Sequence, residues 1–195
     1  MCADATSEGR EGTRQRILSA AYALFYRHGF VRVDLNAIAA KAGVTKRTLY
    51  YHFRSKDDLL AAALEEHSEL ALARIRHWGS RLPADPLRAV EAFFGELGRW
   101  ASGPNFEGAG YTRIVMELAD LPGHPARKIA RRHKAVVEAW LADQLAARGV
   151  AGAPECARRI VVLMEGAVAS MLIHGDRSYV RAAAEMGKRA VVELA

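Results

Sequence analysis

Two cysteines in 195 residues, Cys2 and Cys156, offer neither a disulfide framework nor a cysteine-based metal site. No apolar run reaches the roughly 18 residues that a membrane-spanning helix needs. The start, MCADATSEGREGTRQR, is polar where a secretion signal requires an apolar stretch after its first charges. The expectation is a cytoplasmic chain with no membrane partner. Strict alternation of apolar and polar residues, the mark of a half-buried strand, is also missing. Catalytic spacings are equally scarce. None of the seven histidines falls in H-E-x-x-H, and no G-x-S-x-G, P-loop or dinucleotide fingerprint occurs. His124 and His133, nine apart without carboxylates at helical spacing, read as surface residues. No enzyme, no metal and no cofactor is expected.

What is present is apolar residue enough, 51% of the chain, to bury a core in one large or two small domains. Acidic residues are rare in one region. Residues 10–56 hold ten Lys/Arg (Arg10, Arg14, Arg16, Arg27, Arg32, Lys41, Lys46, Arg47, Arg54 and Lys56) against Glu11 and Asp34, a net +8. The whole chain carries +6, so the remainder sums to −2. A surface for a polyanion needs its cations gathered in one place. A basic first quarter joined to a slightly acidic remainder therefore points to two modules with different partners.

Apolar residues recur at spacings of three and four, so nearly every segment reads helical. A helix from about Thr13 to His28 carries Ile17, Ala21, Leu24, Phe25 and His28 on one stripe and stops at Gly29. Asp34 caps a short helix, Leu35 to Ala42, ended by Gly43, and Thr45 caps the next, Lys46 to Phe53. Ser55-Lys56-Asp57-Asp58 has capping-box spacing and opens a long helix with Leu59, Leu60, Ala63, Leu64, His67 and Leu70 inward. GSRLPADP then breaks the pattern, and Asp85-Pro86 restarts it. Helices over about 86–101, 108–119, 125–148, 154–174 and 178–194 complete the chain. The fold class is all-α, about nine helices, divided into a flexible 1–12, a three-helix module at 13–58 and a larger helical domain at 59–195.

Residues 35–53 make two short helices joined by a tight glycine turn, the pattern of a helix-turn-helix whose second helix enters the major groove of DNA. Ile38, Ala39, Ala42, Val44 and Leu49 pack the pair together. That leaves Lys46, Arg47, Thr48, Tyr50, Tyr51 and His52 to divide between groove and support. Lys46 and Arg47 suit guanine acceptors or nearby phosphates, and Thr48 suits a base edge or a thymine methyl. Tyr50 and His52 suit phosphates, as does Lys56 beside the following helix N-terminus. Tyr51 is divided between duplex contact and packing on Phe53 and the first helix.

Residues 13–64 resemble the DNA-binding domain of TetR/AcrR-type transcriptional regulators, whose hallmark is I-A-x-x-A-G-V-S/T-x-x-T-L-Y-x-H-F-x-S-K-x-x-L. Here it is carried by Ile38, Ala39, Ala42, Gly43, Val44, Thr45, Thr48, Leu49, Tyr50, His52, Phe53, Ser55, Lys56 and Leu59. The later helices are similar to that family's ligand-binding and dimerisation region in number and length only. The resemblance implies a homodimer on a palindromic double-stranded operator, repressing transcription until a small-molecule effector binds the C-terminal domain. By position it implies DNA contacts from Lys46, Arg47, Thr48, Tyr50, His52 and Lys56, joined by Asn36. Asp34 replaces a common Thr or Ser, which serves as a cap but repels phosphate. Arg47 stands where glycine is common and adds a reading side chain.

In the larger domain, small residues (Gly166, Ala167, Ala169 and Ser170) lie within 160–174, and Val180, Ala183, Met186, Ala190, Val191 and Leu194 within 178–194. They suit homodimerisation through the last two helices as a four-helix bundle. For a largely apolar effector, Phe93, Trp100, Tyr111, Met116, Trp140, Met164 and Met171 are the candidate lining, with Arg113, Glu117 or His174 as polar anchors. The same residues would also fill a helical core. The stretch Gly103 to Tyr111 suits an entrance.

Overall fold

A computed structural model of the chain describes residues 3–103, 106 and 110–194. Among these the chain forms nine helices and no strand: α1 Ala3–His28, α2 Leu35–Ala42, α3 Lys46–His52, α4 Lys56–Gly79, α5 Pro86–Trp100, α6 Gly110–Glu117, α7 Pro125–Ala146, α8 Ala153–His174 and α9 Ser178–Glu193. This is the all-α class that the periodicity predicts. The expected glycine stops, Gly29, Gly43, Gly149 and Gly175, all have positive φ. Asp85 accepts from the Arg88 N–H at 2.8 Å and starts α5 with Pro86 in its first turn. Most of the expected entrance stretch, and Cys2, lie outside the described residues.

α1 begins ten residues before Thr13, within what reads from sequence as a flexible start. The Thr13 hydroxyl does not cap. It donates back to the Gly9 carbonyl at 2.8 Å, one turn earlier.

The chain divides into two compact units, Met1–Glu69 with Gly110–Arg131, and Leu70–Ala109 with Arg132–Ala195. The spatial division differs from a cut at residue 58, because α6 and the start of α7 return to the first unit. Apolar burial explains that return. Ile114 of α6 and Leu118 just after it are buried in one core with Ile17, Phe25, Ile38, Leu49 and Leu60. The second unit has its own core, built from Phe93 and Phe94 of α5, Val137 and Leu141 of α7, Ile160 and Val168 of α8, and Val180 and Val191 of α9.

Several side chains point elsewhere than the sequence suggests. Leu70 is exposed, because at 3.6 residues per turn the buried stripe of α4 runs Leu64, Ser68, Ala71 and Leu72. His28 is exposed, since the inward stripe of α1 ends at Phe25 and the Gly29 N–H closes on the Phe25 carbonyl at 2.9 Å. His124 and His133 are buried, not superficial. The His124 Nδ1 accepts from the Ala126 N–H at 3.1 Å at the start of α7. Burial, with Lys134 beside it, lowers the His133 pKa to about 4. On the last two helices, Ala167, Val180, Ala183, Ala190 and Val191 face their own core. The outward apolar side chains are Val162, Leu172, Ile173, Met186 and Val192.

Candidate nucleic-acid interface

A seven-residue helix does not hold itself together in water, so α3 depends on its ends and on burial. Asp34 accepts from the Ala37 N–H at 2.8 Å and starts α2. Gly43, at φ 66° and ψ 38°, is in the left-handed region that glycine enters without a side-chain penalty. The Val44 N–H then returns to the Ala39 carbonyl at 3.0 Å. Thr45 accepts from the Thr48 N–H at 3.1 Å and starts α3, and the two threonine hydroxyls are 2.8 Å apart. Each such cap contributes about 1 kcal/mol. Leu49 and Phe53 are buried and fix which side of α3 faces out.

That outer side carries Lys46 and Arg47, both exposed at its N-terminal end, then Tyr50 at 48% and Tyr51 at 65% exposure. Thr48 is half-buried, and its hydroxyl is engaged with Thr45. Asn36 is exposed on α2. Lys56 is half-buried at the start of α4. Its ammonium stands 4.4 Å from the Phe30 ring centre and donates to the Val31 carbonyl at 3.4 Å. Burial lowers its pKa. The sequence suggests a phosphate contact at this position, and the structure anchors the Lys56 ammonium on the loop after α1.

The early start of α1 adds side chains that sequence reasoning missed. The Arg10 guanidinium lies over the Tyr51 ring at 4.8 Å, and that of Arg14 over the Phe53 ring at 5.4 Å. The missed signal was phase, since Arg10, Arg14, Ile17 and Ala21 share a helical stripe. Tyr51 therefore packs on α1 through Arg10 while much of its ring stays in solvent. Thr13 and Arg16 line an open concavity of about 520 Å³ with Ala40, Gly43, Val44, Thr45 and Thr48. His52 is half-buried, and its pKa is lowered first by burial and then by the Arg10 and Arg14 cations. Both effects favour its neutral form.

The residues proposed from sequence for a ligand site are divided between the two units. Phe93 packs edge-on to Trp78 and obliquely on Trp140, each at 6.2 Å, in the core of the second unit. Met164 and Met171 are buried in the same core. Trp100 meets Phe106 at 5.0 Å, with the Arg74 guanidinium 5.2 Å from its ring centre. His174 is exposed and stacks on Tyr179 at 5.0 Å. Tyr111, Arg113 and Met116 belong to the first unit. The Tyr111 hydroxyl donates to the Leu64 carbonyl at 2.5 Å, and Arg113 donates to the Tyr26 and Arg27 carbonyls at 3.1 and 3.3 Å. Met116 is 72% exposed. Among the described residues no group of three metal-ligating side chains occurs, and no helix is long and apolar enough to cross a membrane.

Comparison with known proteins agrees with this geometry. Residues 17–63 match the family described as bacterial regulatory proteins, tetR family. The transcriptional regulator UidR of Escherichia coli is 42% identical over 64 residues, 33% of this chain and 33% of that protein. This chain thus aligns with only a third of the length of that curated relative. A TetR-family transcriptional regulator from Streptomyces coelicolor has a similar fold, with a TM-score of 0.84 at 26% identity over 94% of this chain and 96% of that one. A TetR-type regulator structure from Streptomyces avermitilis is 31% identical over 90% of this chain and 97% of that one, with a TM-score of 0.74. The chain belongs to the TetR family of transcriptional regulators. In TetR-family terms α1–α3 are the helix-turn-helix end, and the segment matched by the family model runs from Ile17 in α1 to Ala63 in α4.

Proposed function

We propose that this TetR-family chain acts as a homodimer on a palindromic double-stranded operator, with α3 in the major groove, and represses transcription until a small, largely apolar effector binds the second unit. One observation carries the DNA-binding part: Lys46, Arg47, Tyr50 and Tyr51 emerge together from α3, and α1 sets Arg10 and Arg14 beside them. Lys46 and Arg47 read base edges or phosphates, Thr48, Tyr50 and His52 support them, and Asn36 and Lys56 add flanking contacts. The outward Val162, Leu172, Ile173, Met186 and Val192 of α8 and α9 support the homodimer, since exposed apolar side chains on adjacent helices are covered at little cost by a second copy. The aromatic core around Phe93, Trp140 and Trp100 supports an apolar effector. An effector releases DNA only by binding the DNA-free form more tightly than the bound form.

Selection of bound fragments from the source genome, followed by band shift, tests this reading. Thr48→Ala or Tyr50→Ala is expected to weaken the selected operator specifically, while Arg10→Ala lowers affinity for any duplex and flattens its salt dependence by about one phosphate. Failure to retain any duplex overturns the DNA-binding reading. Ile173→Asp is expected to shift the protein from dimer to monomer in sedimentation, and an unchanged dimer removes α8 from the interface.

A further inference from the structure

We infer that Glu117 is a positioning residue for DNA binding: from α6, 87 positions after Phe30, its carboxylate fixes the backbone of the loop that leads into α2 and α3. The inference rests on the reading of the first unit as the duplex-binding one. The Phe30 N–H donates to Glu117 Oε2 at 2.7 Å, and the Val31 N–H donates to the same oxygen at 3.2 Å. Gly29 precedes them at φ +82°. A left-handed residue followed by two N–H groups that converge on one point is an anion-binding concavity. Here the chain fills it with its own carboxylate, and the fit is close, since a Cβ at Gly29 would collide with Glu117 Oε1.

Two cations complete the arrangement. Arg113, one turn earlier on α6, lies 3.6 Å from Glu117 Oε1 and donates to the Tyr26 and Arg27 carbonyls, which belong to the last turn of α1. Lys56, the first residue of α4, covers the Phe30 ring and reaches the Val31 carbonyl at 3.4 Å. The loop is thus held through its N–H groups by α6 and through a carbonyl by the first residue of α4. Both ends of the α2–α3 pair are tied to one carboxylate-centred cluster. Burial of Ile114 and Leu118 already docks α6 on this unit. Apolar contact has no preferred direction, whereas two charge-assisted bonds to a single oxygen admit one loop conformation. Docking is therefore the work of Ile114 and Leu118, and orientation that of Glu117.

Amide hydrogen exchange on the free full-length protein, followed by duplex binding, tests this with Glu117→Ala and Glu117→Gln. In the alanine variant, exchange is expected to quicken at Phe30, Val31 and the first turn of α2, with α6 amides unchanged. Affinity for the fragment selected by the unaltered protein is expected to fall about tenfold, the size of one lost charge-assisted hydrogen bond. Affinity for a random duplex is expected to hold. Glutamine keeps a carbonyl oxygen able to accept both N–H groups and is expected to recover most of the operator affinity. Unchanged exchange in α2, or operator and random duplex weakening in parallel with a lowered melting temperature, overturns the positioning role. If the unaltered protein selects no fragment, the DNA-binding reading fails instead, and the exchange result still decides whether Glu117 holds α2.

Discussion

The first unit builds its outer face from short helices fixed at their ends, and the second builds its core from long helices fixed along their sides. In the first, Asp34, Thr45 and Ser55 each accept a backbone N–H three residues on, and Glu117, Arg113 and Lys56 hold loop and helix-end backbone by name. In the second, α5 packs on α9 and α9 on α8 through Phe94, Val90, Ile160, Val180 and Val191, while ion pairs such as Arg158–Glu138 and Arg159–Glu193 join helices nearer the surface. Short helices cannot bury enough apolar surface to define their own register, so polar groups must define it. Long helices can define theirs by apolar burial, to which surface ion pairs add. A unit that presents chemistry to a rigid partner gains from fixed backbone; one that accommodates a ligand or a second copy gains from an apolar interior and exterior.

The largest test of this contrast falls in the second unit. Phe94→Ala, at a side chain only 1% exposed, is expected to cost about 3–5 kcal/mol in urea unfolding, through lost transfer energy and the cavity left behind. A cost below about 1 kcal/mol would mean that apolar packing does not carry that unit. A second effect comes from pH. His133 has its pKa lowered to about 4 in the native protein, from an ordinary 6.5. Above pH 6.5 both native and unfolded chains hold it neutral. Below that, the unfolded chain takes up a proton that the native one refuses, so stability is lost as pH falls from 6.5 toward 4. Between pH 7 and pH 5 the loss is about 2 kcal/mol, and His133→Gln is expected to remove that part of the slope.

Smaller effects belong to the capped unit. Gly43→Ala is expected to cost about 1–2 kcal/mol from backbone strain alone, because a Cβ there meets no other atom. Neutrality would show that the turn accepts another conformation. Thr45→Ala is expected to cost about 1 kcal/mol and, measured by amide exchange, to loosen the first turn of α3 ahead of α2. Uniform loosening of both helices would mean that the cap is not what holds α3.

Within the chain, the caps and glycine stops were legible because they are local. A threonine three residues before a backbone N–H, or a glycine where φ must turn positive, acts over one turn of chain and leaves its mark in the order of residues. The outward residues of α3 followed from the same short-range logic, once Leu49 and Phe53 took the inward side. The length of α1, and with it the placing of Arg10 and Arg14, did not, since Gly9 and Gly12 weaken the local helix signal.

By itself, the order of amino acids determined that this protein is a string of about nine helices with a basic helix-turn-helix near one end, since helix periodicity, capping and charge are properties of neighbours. Only the tertiary structure decided that α6 belongs with that module, that Glu117 occupies the loop before α2, that His124 and His133 are buried, and which apolar stripe of α8 and α9 faces outward. Those outcomes depend on residues tens of positions apart competing for the same buried volume, and no local pattern records who wins.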